Sequence, residues 1–343
     1  MNQKPHISRR TFLRLALLAG IGLGGVVIRR NTAWMGTGNF LRWLLRAQVQ
    51  RLRPPGIVAL GACSSYSSDI LGALRPLWAQ AEMPNLTGKH ILVKANLVDM
   101  VPGHAATTNP QVVAAVVDLL GELGAAEVTV GDGSAFRRDT LAVARECGLA
   151  EVLAGRGVPF VDLNYDDPQP VAVRDGWLRR SPWLWLPRHV RQADYLVSVP
   201  KLKTHHWAGV SLSMKNLLGV VPGARYGWPK NMLHMNGLNA AILGVYVLMP
   251  PVLVVVDGIE GMQGDGPLFG TPVPHHLLAV SKEALAVDVV CTRLMGFATS
   301  DIPHLDAAIW AGVGQGMRIE TRGLPEADLQ RSYQPPPPME ENE

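Results

Sequence analysis

Short apolar runs rich in β-branched residues recur along this chain, separated by stretches with helical periodicity. That alternation leaves few architectures open. GIVALGA (residues 56–62), HILVKANLV (90–98), AEVTVGDGS (126–134), DYLVSVP (194–200), PPVLVVVDG (250–258) and HHLLAVS (275–281) each read as a strand. Between them, Asn109-Pro110 opens a helix that runs to Leu123: the Asn side chain can cap it, and Pro suits its first turn. Further helices are expected near 139–147, over NGLNAAILGVYVLM and over EALAVDVVCTRLMG. Strands alternating with helices imply an α/β fold, a mostly parallel sheet with helices on both faces. Residues 160–235 break the rhythm and read as an inserted, second smaller lobe. GMQGDGPLFGTPVP (261–274) reads as one long Gly/Pro loop. The α/β domain is expected over 56–318, and residues 319–343, ending in QPPPPMEENE, as a Pro-rich disordered tail.

The N-terminus carries a different signal. Ser8-Arg9-Arg10-Thr11-Phe12-Leu13-Arg14 has the form of a twin-arginine export motif, and the apolar run from Leu15 to Ile28 is too short for a membrane span. Residues 1–36 are therefore read as a signal or anchor segment, which makes the twin-arginine translocase a partner and export across the cytoplasmic membrane the expected route. NFLRWLLRAQVQRLR, within 37–55, interleaves large apolar residues with arginines. It reads as a basic amphipathic helix suited to an anionic membrane surface.

This segment also explains the charge. Of the 32 basic residues, ten fall in positions 1–53, which hold no acidic residue; 22 basic and 28 acidic residues remain. The globular part is mildly acidic, which argues against a nucleic-acid footprint. Cys63, Cys147 and Cys291 are far apart and form no CxxC pair, so no iron–sulfur cluster is expected within this chain. There is no P-loop, no GxGxxG after a strand and no GxSxG.

Polar groups gather where strands end, which is where open α/β sheets bind ligands. Lys94 and Asn96 close one strand, Asp132 another, and Asp257 and Glu260 a third. Lys201 and Lys203 follow YLVSV; alternating, they point to one face and could hold one anion. Only eight lysines occur in the chain, and three lie in VPKLKTHHWAGVSLSMKNLLG, with His205, His206 and Asn216. His205 or His206 with His234, Asp257 or Asp265 offers a divalent-metal site. The glycines of the 261–274 loop would let backbone amides approach an anion.

KANLV, TTNPQVVAAVVDLL, VGDGS, PKLKTHHWAGVSLSMKNLLG and DGIEGMQGDGPLFGTP, followed by ALAVDVVCTRLMG, resemble in order the domain of unknown function 362 family over about residues 57–315. PKLKTH…SMKNLLG is the most distinctive motif. Many relatives carry ferredoxin-like cysteine clusters, which this chain lacks. The resemblance leaves room for a separate iron–sulfur partner, and the family is distantly similar to the nickel-pincer lactate racemases. The family's polar pattern falls on Lys94, Asn96, Lys201, Lys203, His205, Lys215, Asn216, Asp257 and Asp265.

The expectation is an enzyme acting on a small anionic metabolite or cofactor. His205, Lys201 and Asp257 would be catalytic, with His205 moving a proton. Lys94, Asn96, Asp132, Lys203, Lys215 and Asn216 would bind substrate, and His205, Asp257 and Asp265 would hold any metal. The alternatives are a non-catalytic binding or maturation protein serving a membrane or iron–sulfur partner, or a metal-dependent racemase-like enzyme.

Overall fold

The computed structural model describes residues 53–134, 138–173, 178, 182–227, 230, 233 and 237–337. The twin-arginine segment, nearly all of the amphipathic stretch 37–55 and His234 lie outside the described residues. Residues 54–309 and 313–343 form one compact unit.

The strands are β1 (Gly56–Ala62), β2 (His90–Lys94), β3 (Glu127–Asp132), β4 (Phe160–Asp162), β5 (Pro168–Ala172), β6 (Trp183–Pro187), β7 (Tyr195–Ser198), β8 (Lys201–His205), β9 (Gly209–Ser211), β10 (Val252–Gln263), β11 (Thr271–Ser281) and β12 (Ile319–Gly323). The main sheet runs β12-β1-β11-β10-β7-β2-β3-β4, and β8 also pairs with β10 and β9. Most neighbours are parallel; β11 is antiparallel to both β1 and β10, and β9 to β8. A mostly parallel α/β sheet is thus what the alternating pattern builds.

The helices are α1 (Ile70–Gln80), α2 (Pro110–Glu122), α3 (Thr140–Glu146), α4 (Leu149–Ala154), α5 (Arg188–Gln192), α6 (Ser213–Asn216), α7 (Gly223–Tyr226), α8 (Leu238–Tyr246), α9 (Ala284–Leu294), α10 (Pro303–Ala311) and α11 (Glu326–Leu329). Asn109 caps α2 through Gln111 N, with Pro110 at its start. Asp69 and Asp139 cap α1 and α3 in the same way.

Strand side chains alternate between two cores. Leu253 and Val255 of β10 join Ile91, Val93 and Val197 under α1–α4. Val254 and Val256 join Leu92 and Leu196 under α8 and α9. Both faces are covered, which is why these strands read as unbroken apolar runs.

Three expectations change in detail. The second lobe expected at 160–235 reduces to a two-stranded sheet of β5 and β6; the rest of that stretch joins the main sheet as β7, β8 and β9. The long loop expected over 261–274 shrinks to residues 264–270, because β10 and β11 extend into an antiparallel hairpin. Residues 319–333, expected within a disordered tail, are built into the fold. β12 pairs with β1, Leu329 and Tyr333 are buried, and the Tyr333 hydroxyl lies 3.0 Å from His275 Nδ1. A free edge beside β1 and an apolar groove were available, and proline does not prevent the chain before it from filling them. Ending the chain after residue 318 should therefore cost about 3 kcal/mol or more, since two large side chains lose their burial. Urea unfolding reads this, and an unchanged midpoint would refute it.

Candidate functional site

The stretch with the lysines and histidines folds back on itself. β8 and β9 form a tight hairpin, pairing Lys203 with Ser211 and His205 with Gly209. The chain then enters α6, which has no side-chain cap of its own from Leu212. The Asp288 carboxylate on α9 supplies one, accepting from Ser213 N and Met214 N at 2.8 Å each. This anchors the short helix that carries Lys215 and Asn216.

Lys94, Asn96, Asp132, His205, Lys215, Asn216 and Asp265 all line one cavity of about 310 Å³. Its floor is a closed polar network. Lys94 Nζ donates to Asp132 Oδ1 at 2.5 Å, to the Ala95 carbonyl at 2.7 Å and to Asn216 Oδ1 at 3.1 Å. Asp132 also accepts from Gly133 N and Leu97 N. Asn216 Oδ1 takes a second bond from Asn96 Nδ2, which leaves Asn96 Oδ1 buried without a partner. Burial pulls the Lys94 pKa down, and the Asp132 carboxylate opposes that shift without cancelling it.

Gly219 lies against this pair: a Cβ there would sit 2.6 Å from Lys94 Nζ and 3.0 Å from Asp132 Oδ1. Gly219→Ala should destabilise the fold by about 1–3 kcal/mol through overpacking. A thermal melt within error of the unmodified chain would contradict this.

Lys201, Lys203 and Asp257 do not line the cavity. β8 is a fully buried strand despite its two lysines and histidine. Lys201 Nζ donates to Asp257 Oδ2 at 3.1 Å and to the Tyr66 hydroxyl at 2.5 Å. Tyr66 in turn donates to Asp257 Oδ1 at 3.0 Å, and Asn109 N donates to Oδ2. Burial and the Asp257 charge push the Tyr66 pKa up, so its hydroxyl keeps its proton. Lys203 Nζ is held by the carbonyls of Ala106 and Pro267. The expectation that Lys201 and Lys203 share one anion is therefore corrected: each is held by its own protein partners, away from the cavity. The metal set His205, Asp257 and Asp265 is not assembled either, since Asp257 is enclosed by its own partners. Among the described residues, no three His, Cys, Asp or Glu side chains come together as ligands.

His205 also changes role. Its Nδ1 accepts from the backbone amides of Trp207 and Ala208, at 3.1 and 3.3 Å. Burial first, then the Lys215 charge, push its pKa well below the usual range. The ring is thus neutral, with its hydrogen on Nε2. A ring in this state, on a residue that lines the cavity, is a hydrogen-bond donor at Nε2 and not a base.

Lys215 stands apart. It is half-buried at the cavity and has neither a counter-ion nor a hydrogen-bond acceptor among the described residues. Burial, and secondarily Lys94, lower its pKa to about 8. His304 on α10, wholly buried with neither ring nitrogen bonded, feels that charge and is pushed down to about 3, chiefly by burial.

Sequence reasoning missed Lys230, which also lines the cavity. Its Nζ donates to the carbonyls of Gly133, Leu218 and Gly219 at 3.2, 3.1 and 2.8 Å. Burial, then Lys94, lower its pKa to about 7, and its φ of 69° is unusual for a residue with a side chain. The available signal was scarcity: with eight lysines in the whole chain, each one in the domain merits attention.

The 264–270 loop forms the outer wall through Asp265, Pro267, Leu268 and Phe269. It is tied to β8 by His206, whose backbone N and Nδ1 both meet the Gly266 carbonyl, at 3.0 and 2.8 Å. A Cβ on Gly266 would collide with the Thr204 carbonyl. The glycine thus serves close backbone packing, where the sequence had suggested amides facing an anion. Trp207 and Phe269, 51% and 61% exposed, flank the mouth. His104 stays outside the cavity lining, bonded to the Gly270 carbonyl.

The chain is 31% identical over 261 residues to the thylakoid-associated protein sll1697 of Synechocystis, covering 73% of this chain and 78% of that one. Among solved structures, the lactate racemase apoprotein of Thermoanaerobacterium thermosaccharolyticum matches with a TM-score of 0.44 and 15% identity, over 70% of this chain and 57% of that one. A Thermotoga maritima protein matches with a TM-score of 0.34 and 12% identity, over 57% and 52%. The chain thus spans little more than half the length of either solved protein. Residues 91–293, from β2 to the end of α9, match the domain of unknown function 362, and the chain belongs to that family.

Proposed function

We propose that this chain is an enzyme acting on a small organic anion held in the cavity. One observation carries the reading: Lys215 is a cation in a partly apolar cavity and pairs with no carboxylate among the described residues, near His205, whose Nε2–H is a fixed donor. Leaving such a charge unmatched costs stability, and a bound anion removes that cost. The Leu233, Leu238 and Leu268 side chains favour a ligand with an apolar portion. Calorimetric titration of short carboxylates and phosphate esters tests this. A ligand should be found whose affinity falls at least about tenfold in Lys215→Met, as the loss of a charge-assisted bond implies. Recovery of the bound molecule unchanged after long incubation would favour a non-catalytic carrier.

The proposal extends to location. The Arg9-Arg10 motif supports export through the twin-arginine translocase, and the basic stretch 37–55 supports contact with a membrane surface. The thylakoid association in the name of the Synechocystis relative is in keeping with that contact. Replacing Arg9 and Arg10 with Lys should retain the protein inside the cell, as fractionation would read.

A further inference from the structure

We propose that Lys215 forms an imine with the carbonyl carbon of a small anionic oxo compound, such as an oxo acid, within the cavity. This rests on the anion-site reading above and gives it a substrate class.

The lysines themselves single out the position. Lys94 is held by Asp132, Lys201 by Asp257, Lys203 by two carbonyls and Lys230 by three. Lys215 alone of these five has its amine uncommitted among the described residues, and it lies on the cavity wall. A nucleophile must be both unbound and reachable, and Lys215 meets both conditions.

The neighbours suit the chemistry. His205 lines the same cavity, and its Nε2–H is a donor suited to the carbonyl oxygen as negative charge develops there. The lowered basicity of Lys215 adds to this: an amine with a pKa of about 8 holds on the order of a hundredfold more free base near neutral pH than an ordinary lysine.

The step balances without a co-reactant. The Nζ lone pair forms the N–C bond as the carbonyl π pair moves to oxygen. Two of the three ammonium protons end on that oxygen, which leaves as water. The product is a protonated imine, so the positive charge stays at Nζ and still faces the ligand's anionic group.

Full-length protein would be incubated with pyruvate or glyoxylate and cyanoborohydride, then mapped by mass spectrometry. Reduction should fix one adduct on Lys215, exceeding labelling of the solvent-facing Lys89 and Lys282 by about tenfold or more. Lys215→Arg keeps the charge and should lose the adduct while still binding carbonyl-free anions such as propionate. Circular dichroism would check that this variant is folded. Equal labelling of Lys89 and Lys282, or no adduct at all, overturns the imine. If propionate binds in a Lys215-dependent way and no adduct forms, the anion site stands and the imine falls. If neither occurs, both readings fall.

Discussion

Asp257→Ala is expected to destabilise the domain by about 3–5 kcal/mol while leaving ligand binding in the cavity intact. Removing this carboxylate strands the Lys201 ammonium in a site only 2% exposed, and frees the Tyr66 hydroxyl and Asn109 amide from their shared acceptor. The cost comes from uncompensated buried charge, which exceeds the net value of the pair. Lys201→Met with Asp257→Leu should accordingly recover much of the loss, because no charge then remains unmatched. Urea unfolding of the two variants reads the energies, and calorimetry reads the binding. A folded Asp257→Ala variant of normal stability that has lost ligand binding would return Asp257 to a functional role.

The second large effect is on pH dependence. The folded-state pKa of Lys215, about 8, is depressed below its unfolded value. Its contribution to stability is therefore present above the unfolded pKa and is lost as pH falls through about 8. Lys230 behaves in the same way, through about 7. An anion relieves that cost, because it favours the protonated amine. Affinity for an inert anion should be level below about pH 7 and fall by about tenfold per unit well above pH 8. Binding at pH 8.5 should take up a proton, so its measured enthalpy should differ between buffers of different ionisation enthalpy. In Lys215→Met both the slope and the buffer dependence should largely disappear. Affinity independent of pH from 7 to 10 would count against Lys215 as the anion's partner.

The sheet was legible because a strand buried on both faces leaves an unbroken apolar run, as in VLVVV and HILV. The floor of the site was legible too: Lys94 and Asp132 end such runs, and a charge there must have a reason. The reason differs from strand to strand, and that was not legible. Lys201 and Asp257 sit at strand ends as well, but their partner Tyr66 lies 191 residues from Asp257 in a serine-rich loop. No local pattern predicts that meeting. The histidine was misjudged for a related cause. Its tautomer is set by two amides in the 205–208 turn, a matter of turn geometry that composition does not encode. Lys230 follows no strand, so the rule that found the others passed it over.

The position of β1 has a consequence for synthesis. Its two neighbours in the sheet are β11 and β12, at residues 271–281 and 319–323. The ribosome therefore makes the first strand of the domain more than two hundred residues before either flank exists. β2, β3, β4 and β7 can pair as they emerge, whereas β1 must wait with both edges open. A nascent chain halted at residue 270 should expose this strand to protease or chaperone, and release of the finished chain should bury it. The domain closes at the end of translation, when its first strand gains both flanks.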